Sequence, residues 1–255
     1  MTSVTETWSG LPDWVSHFRA PNPGPMTLDG TNTWVLDSGS SDGLLVVDPG
    51  PMIEEHLRTV ADSGRVRGVL LTHRHPDHAE GLDRFAELTG AGIVNPNPGE
   101  PLPHGQLLIH TIPTPGHTAD SVSFHVEGDE PAVFSGDTIL GRGSTSVLWP
   151  DGNLGDYLDS LNRLEALGPI PILPGHGPVR PDCAATCSVY LRHRRQRLDQ
   201  VRRALESGAD SASEVVEIVY ADVDKSLWPA AEATVMAQLA FLQDSDGEHI
   251  GPTRR

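Results

Sequence analysis

The stretch VRGVLLTHRHPDH, residues 66–78, joins an apolar run directly to a histidine cluster. The run from Val66 to Thr72 predicts a buried strand, and the apolar spacing from Ala79 to Thr89 predicts a helix. Loops between a buried strand and a helix commonly carry functional side chains. The His-x-His-x-Asp-His pattern of this loop therefore predicts a metal site at the end of the strand.

Three further residues of metal-ligand type lie near the ends of later predicted strands. His117 occurs in a Pro-Gly-His-Thr sequence, Asp137 in Ser-Gly-Asp and His176 in Pro-Gly-His-Gly. An adjacent glycine permits a tight turn and a close approach of the backbone at each position. Five histidines and two carboxylates at strand ends predict a two-metal site. Imidazole suits zinc, iron, copper or nickel, and the carboxylates favour a hydrolytic metal centre over a thiolate site.

Length, charge and cysteine content limit the class of protein. A chain of 255 residues predicts one large domain, or one domain with a small appendage. The formal net charge of −17 argues against a general nucleic-acid coat protein. We expect no membrane span and no secretory signal, because apolar runs are short and the first residues are polar. The only cysteines, Cys183 and Cys187, are expected to be inert helix residues, so we expect a cytoplasmic protein.

Strand and helix patterns alternate up to about residue 180, and only helical patterns follow. Residues 1–32 are rich in Pro, Gly, Asn and Asp and predict a leading segment of turns. The predicted strands are 33–37, 44–48, 66–72, 106–112, 121–126, 132–135 and 171–173. The predicted helices are 52–63, 79–89, 154–167, 184–206, 212–220 and 230–243. The change of pattern predicts a domain boundary between residues 181 and 182.

Five short motifs carry a resemblance to a known family. They are Val47-Asp48-Pro49-Gly50, Thr72 to His78, Gly116-His117, Gly136-Asp137 and Gly175-His176-Gly177. In this order they resemble the metallo-β-lactamase superfamily. The segments 22–25, 30–33, 135–143 and 190–194 further resemble its beta-lactamase-like protein 2 branch, whose eukaryotic members are endoribonucleases. The resemblance implies an α/β fold, a four-layer αβ/βα sandwich in residues 1–181, and a small helical, winged-helix-like domain in residues 182–255.

The resemblance also implies roles for the metal-ligand residues. The first metal would be held by His73, His75 and His117. The second would be held by Asp77, His78 and His176, with Asp137 bridging the two. The metals would be two Zn²⁺ ions, or iron or manganese, sharing a hydroxide that acts as nucleophile. Asp77 would both ligate and orient this nucleophile, and Asp48 would accept a hydrogen bond from a ligand histidine.

Several substrates fit this ligand set. The resemblance over the whole chain favours a single-stranded RNA phosphodiester. A small thioester or ester, as in glyoxalase II, and a β-lactam are alternatives, although Asp137 counts against a main activity on lactams. An iron-dependent persulfide dioxygenase is an alternative from another class. The short segment between Asp137 and His176 leaves no room for the inserted domain of β-CASP nucleases. Either a monomer or a homodimer fits the acidic composition.

Candidate substrate contacts lie outside the ligand motifs. Asn32 and Thr33 are predicted to be polar contacts beside the metals. Arg194 projects among the apolar residues of its helix, so we expect it to enter the cleft or to pair with a buried acid, and we favour the cleft. The face carrying Arg192, Arg195, Arg202 and Arg203 is either solvated or a phosphate-binding stripe. The remaining histidines considered are expected to be ordinary core or surface residues: His17, His56, His104, His110, His125 and His249.

Overall fold

The structure, a computed structural model, describes Trp8, residues 11–39 and residues 41–247. The polar N-terminal residues and His249 lie outside these ranges. The strands are β1 (Val15–Arg19), β2 (Asn32–Leu36), β3 (Leu44–Val47), β4 (Val66–Leu70), β5 (Leu102–His104), β6 (Leu107–Pro113), β7 (Val122–Glu127), β8 (Ala132–Gly136) and β9 (Ile172–Pro174). The helices are α1 (Glu54–Ala61), α2 (Pro76–Ala79), α3 (Leu82–Thr89), α4 (Leu154–Glu165), α5 (Cys183–Glu206), α6 (Ala212–Val219) and α7 (Trp228–Gly247).

Two mixed sheets form the centre of the fold. The first has the strand order β1-β2-β3-β4, and the second has the order β5-β6-β7-β8-β9. Neighbouring strands are antiparallel except for the last pair of each sheet, β3 with β4 and β8 with β9, which are parallel. Each sheet therefore ends in a parallel strand whose carboxyl end leads into a loop. These two loops carry the histidine cluster at 73–78 and His176.

Apolar side chains from both sheets meet in a shared core. Trp34 and Leu36 of the first sheet pack with Phe124 and Phe134 of the second. Helices α1 and α3 cover the other side of the first sheet through Leu57 and Phe85, while α4 and α5 cover the second sheet. Each sheet is thus apolar on both faces, as a layer covered on both sides requires. The order helix, sheet, sheet, helix confirms the predicted four-layer sandwich.

The C-terminal helices share a core with the second sheet. α5 begins at Cys183, where the Asp182 side chain caps the helix by accepting from the Ala185 amide. The buried Cys183 and Cys187 belong to the same apolar cluster as α4 and β9. Both cysteines are free, and contact with Cys183 together with burial raises the pKa of the Cys187 thiol, which keeps it unreactive. Residues 183–247 contain helices and a short 3-10 turn at Lys225–Leu227, without a strand.

Three parts of the fold differ from the sequence-based prediction. β1 lies inside the predicted turn segment, and β5 was not predicted. The predicted helix 79–89 begins only at Leu82, as α3, and the predicted loop before it contains the short helix α2; Gly81 lies between the two. A Cβ at Gly81 would lie 2.7 Å from Leu57 Cδ2 and 2.9 Å from the Gly50 carbonyl oxygen, so the helix break allows close packing against α1. None of the described helices is sufficiently long and apolar to span a membrane.

Candidate metal centre

Loops from both sheets bring the seven predicted ligand side chains to one place. The loop after β4 and the short helix α2 carry His73, His75, Asp77 and His78. The other three residues come from the second sheet, in the β6–β7 loop, after β8 and after β9: His117, Asp137 and His176. The cluster spans more than a hundred residues of sequence and lies where the two sheets meet.

The side chains form three overlapping groups that could each hold a metal ion, and two of these groups share no residue; the third consists of His73, His78 and Asp137. In the first, His75 Nδ1 lies 3.1 Å from His73 Nε2 and 3.0 Å from His117 Nε2. In the second, His176 Nε2 lies 3.0 Å from Asp77 Oδ2 and 3.3 Å from His78 Nε2. The structure thus brings together the same two groups that the family resemblance implies.

Asp137 lies between the two groups. Its Oδ2 is 3.7 Å from His117 Nε2, a member of the first group. The same oxygen is 3.3 Å from His176 Nε2, and Oδ1 is 3.5 Å from His78 Nε2, both in the second group. Oδ1 is buried and has no hydrogen-bond partner in the described part of the chain. A buried carboxylate oxygen in this position is suited to a cation shared by the two groups.

The outer nitrogens of four histidines are tied to oxygen atoms. Nδ1 of His117 donates to the Ser146 carbonyl at 2.8 Å, and Nδ1 of His176 donates to the Gly30 carbonyl at 3.2 Å. Nδ1 of His78 donates to Asp48 Oδ2 at 2.8 Å. His73 Nδ1 lies 3.0 Å from Thr72 Oγ1, which itself donates to Asp48. In the neutral ring, each Nε2 therefore carries a lone pair that faces the cluster.

The lone pairs that converge in the cluster indicate that a metal ion would fit there. The Nε2 atoms of His78 and His176 face each other at 3.3 Å, although each ring already donates through Nδ1. His75 Nδ1 faces two such Nε2 atoms and can donate to only one. Opposed lone pairs and an unpartnered carboxylate oxygen are stabilised by cations. The donor set of imidazole and carboxylate therefore fits divalent metal ions such as zinc.

The electrostatics of the cluster also favour positive charge. Burial disfavours a charged His176, but the charge of Asp137 and the hydrogen bonds to Asp137 and Asp77 together outweigh this effect and raise the pKa of His176 to about 9. Burial disfavours ionised Asp77, yet the hydrogen bond from protonated His176 and the positive charges of His78 and His176 together lower its pKa to about 2. A bound cation would take the place of the His176 proton. His73, which is buried beside His78, has its pKa lowered to about 2 and stays neutral. Both carboxylates are thus ionised, and His73 keeps a free lone pair.

Asp48 supports the cluster from behind. Besides accepting from His78, its carboxylate accepts from the Thr72 backbone amide at 2.8 Å and from the Thr72 hydroxyl at 2.6 Å. Its backbone adopts a φ of 51°, in the left-handed region where aspartate is one of the few tolerated residues. This unusual backbone turns the carboxylate toward the ligand loop. Asp48 therefore has the geometry predicted for it, an acceptor for a ligand histidine.

A glycine allows the two sheets to approach at the cluster. A Cβ on Gly175 would lie 2.4 Å from Asp137 Oδ1 and 2.7 Å from His78 Cε1. Both distances are too short for any side chain, so only glycine permits these ligands to meet. The Pro-Gly-His-Gly sequence before His176 thus reflects close packing as well as a turn.

Sequence reasoning missed the partners that orient the ligands. Thr31 is buried, and its hydroxyl lies 3.3 Å from Asp77 Oδ2. Thr72 links His73 to Asp48. Thr72 is the first residue of the motif Thr72 to His78, but the motif predicted no role for it. Backbone carbonyls, such as those of Gly30 and Ser146, leave no signal in residue type.

The prediction that Asn32 and Thr33 contact substrate is corrected by their burial. Asn32 is 1% exposed, and its amide donates to the carbonyls of Pro174 and Gly177, each at 2.9 Å. It therefore clamps the loop that carries His176. The Thr33 hydroxyl donates to the Asp48 carbonyl at 2.7 Å and contacts His56. Both residues lie within β2 and support the site from behind.

The prediction that Arg194 contacts substrate stays a prediction. Among the described residues Arg194 pairs with no acid: its Nη2 donates to the Thr145 carbonyl, and its guanidinium lies 4.8 Å from the centre of the Tyr157 ring. The side chain is only 3% exposed, so it does not project freely into the cleft above the cluster. Instead it holds the loop at 143–147, whose Ser146 carbonyl accepts from His117. The other four predicted basic residues of α5 are exposed: Arg192, Arg195, Arg202 and Arg203.

The remaining described histidines lie apart from the cluster. His17 contacts Asn32, His56 contacts Thr33 and His104 contacts the Leu36 carbonyl, and all three rings are buried. His110 and His125 stack on each other on neighbouring strands. These positions agree with the prediction of ordinary core or surface histidines.

Comparisons with known proteins place the chain in a family. The model of the "Metallo-beta-lactamase superfamily" matches residues 26–109 and 91–176, and that of the "Beta-lactamase associated winged helix domain" matches residues 211–246. A beta-lactamase-like protein 2 homolog of Drosophila melanogaster is 32% identical, covering 87% of this chain and 85% of that protein. An atrochrysone carboxyl ACP thioesterase of Aspergillus fumigatus is 31% identical, covering 78% and 71%.

A solved structure shares the fold over nearly the whole chain. A beta-lactamase domain protein from Burkholderia ambifaria superposes with a TM-score of 0.78 at 24% identity, covering 95% of this chain and 88% of that one. The family models, the fold and the two ligand groups agree. The chain therefore belongs to the metallo-β-lactamase superfamily of metal-dependent hydrolases.

Proposed function

We propose that this protein is a two-metal hydrolase that cleaves a thioester or ester bond in a small anionic substrate. The observation that carries the proposal is the complete pair of ligand groups, joined by the buried Asp137 carboxylate. One group consists of three imidazoles, and the other combines two imidazoles with Asp77. Zinc is the proposed metal, with iron or manganese as alternatives.

Bound metals would supply a water made acidic enough to act as a nucleophile near neutral pH and an electrophilic contact for the substrate oxygen. The protein's own contribution is orientation. Asp77, with 24% of its side chain exposed, is the open carboxylate of the cluster, and contacts with Thr31 and His176 fix its position. We propose that it aligns the attacking water and accepts its proton. The water oxygen bonds to the carbonyl carbon, the carbon–sulfur bond breaks, and the leaving thiolate takes up a proton.

The distribution of positive charge supports a small substrate. Arg74, which lies within the histidine motif, pairs with Asp120, and Arg142 pairs with Asp29. Each of these exposed cations therefore has an acid beside it, which weakens its attraction for a nucleic-acid backbone. Similarity to a protein named as an ACP thioesterase supports a thioester as the reacting group.

Single-stranded RNA is the second candidate substrate. It is favoured by the similarity to beta-lactamase-like protein 2 homologs over 87% of the chain and by the exposed arginines on α5. Arg202 of this face pairs with Asp199, which weakens its positive potential. The charge of −17 also opposes binding of a polyanion.

A substrate panel tests this proposal. Purified protein would be incubated with acyl thioesters, fluorescent single-stranded RNA and a chromogenic cephalosporin, with and without a chelator. We expect thioester hydrolysis that the chelator abolishes and zinc restores. Cleavage of RNA with intact thioesters would replace the proposal by the second candidate. A single bound iron with oxygen uptake on glutathione persulfide would contradict hydrolysis altogether, so the metal content should be measured on the same sample.

A further inference from the structure

A cavity of about 310 Å³ lies between the catalytic sandwich and the C-terminal helices. One wall consists of residues 25–26 and 144–146 of the sandwich. The opposite wall is formed by His193, Arg194 and Arg197 of α5 together with residues between Tyr220 and Thr234. The cavity is thus built from both parts of the chain.

The sandwich wall belongs to the loops that hold the metal ligands. Ser146 lines the cavity, and its carbonyl accepts from Nδ1 of His117 at 2.8 Å. Pro25 and Met26 precede Thr31, which contacts Asp77, in the same loop. The cavity therefore lies beside the loops that hold the cluster.

The cavity has cationic side chains and no acidic ones. The chain contains 35 Asp and Glu residues, yet none of the described ones lines this cavity. Arg197 Nη1 donates to the Val219 carbonyl at 3.1 Å and to Gln200 Oε1 at 2.9 Å, and its guanidinium stacks on Tyr220. Neither Arg194 nor Arg197 forms an ion pair within the described ranges. Their positive charge is therefore not neutralised by the protein.

A buried donor in the cavity wall is left without a partner. Arg194 is almost fully buried, and its Nε has no hydrogen-bond partner among the described residues. Leaving a buried donor unpaired is costly, and a water molecule or an ion can supply the missing partner. Together with the charges of Arg194 and Arg197, this donor indicates that the partner is an anion.

Resting on the hydrolase function proposed above, we infer that this cavity binds the anionic group of the substrate, a phosphate or a carboxylate, while the bond to be cleaved lies at the cluster. Arg197 is the principal contact, because its Nη2 and Nε are not used by its two bonds within the described protein. The apolar Leu227 and Ala231, on the same wall, suit the uncharged linker between the anion and the reacting bond.

The test measures binding separately from turnover. Non-hydrolysable S-methyl thioethers of coenzyme A, glutathione and N-acetylcysteamine would be titrated calorimetrically into the metal-loaded protein. The first carries phosphates, the second carries carboxylates and the third is neutral. We expect at least one anionic thioether to bind about tenfold more tightly than the neutral one, and the better of the two identifies the anion.

Variants of one helix provide the control. Arg197→Met is expected to remove the tenfold preference, and Arg197→Lys to restore part of it because the charge is kept. Gln196→Met, an exposed change on the same helix, should leave binding and turnover unchanged. Circular dichroism and metal content confirm that each variant is folded and loaded.

The outcomes separate this inference from the proposed function. Equal binding of the three thioethers, or an unchanged preference in Arg197→Met, overturns the anion site even where thioesters are hydrolysed. Tight binding of single-stranded RNA alone also overturns it. Absence of thioester hydrolysis with a retained, Arg197-dependent anion preference would instead contradict the proposed reaction and leave the anion site standing.

Discussion

Two sets of buried histidines in this chain differ in what their ring nitrogens face. His56 contacts the Thr33 hydroxyl, and His104 contacts the Leu36 carbonyl. In the cluster, His78 and His176 also bind oxygens through Nδ1 but turn their Nε2 atoms toward each other. Burial alone therefore does not distinguish a metal ligand from a core residue. The distinguishing feature is a tethered ring whose free lone pair faces other lone pairs.

The largest effect is expected from a change at Asp77, in the second group of the cluster. Asp77→Ala removes the open carboxylate of the second group but leaves every histidine in place. We expect turnover to fall by about a thousandfold, as for loss of a general base and ligand together. The circular dichroism spectrum should stay close to that of the wild type, because Asp77 is at the edge of the core. Wild-type turnover in this variant would exclude the role assigned to Asp77.

The second prediction compares alanine substitutions of one histidine from each set. His117→Ala should reduce the bound metal per chain, measured by emission spectrometry, because the first group loses one of three ligands. His104→Ala should keep the metal content and lower the free energy of unfolding by about 1–3 kcal/mol, because it removes a buried, hydrogen-bonded ring. Equal metal loss in both variants would show that the two sets do not differ.

A third prediction concerns the acceptor behind the cluster. In Asp48→Asn, the new residue tolerates the φ of 51°. The substitution removes the negative charge of the group that accepts the hydrogen bond from His78 Nδ1. We expect the dissociation constant for zinc to rise about ten- to a hundredfold, measured by competition with a chromophoric chelator. Glu55→Gln, an exposed change on α1, is the control. An unchanged zinc affinity would show that Asp48 only stabilises the loop.

The smallest effect is expected from a core histidine. Burial lowers the pKa of His56 from 6.5 to about 4, with further lowering from His17 and an opposing hydrogen bond to the Pro49 backbone. The unfolded chain thus takes up a proton below pH 6.5, whereas the folded chain does so only near pH 4. Stability contributed by neutral His56 is full above pH 6.5 and declines as the pH falls toward 4, by at most about 3 kcal/mol.

Urea unfolding of the metal-free protein at pH 7 and pH 4.5 measures this effect. The wild type should lose more stability between these values than His56→Asn, which cannot be protonated. The same loss in both proteins would show that other groups cause the pH dependence.

Sequence reasoning located the ligand cluster because its residues occur in compact motifs at strand ends. It failed where a polar side chain is explained by distant backbone. Asn32 bonds to carbonyls of Pro174 and Gly177, and Arg194 to that of Thr145. A carbonyl has no signature in residue type, so these partners could not be predicted. β1 was missed because its five residues lie within a region rich in Pro and Gly.

The origin of the ligands on both sheets has a consequence for the life of the protein in the cell. Four of the seven side chains belong to the first sheet and three to the second. An ion bound between them acts as a reversible cross-link, because the sheets cannot separate without releasing it. Loss of the metal would then weaken the contact between the two sheets and make the chain more susceptible to proteases. The abundance of this protein would follow the supply of its metal as well as the rate of its synthesis.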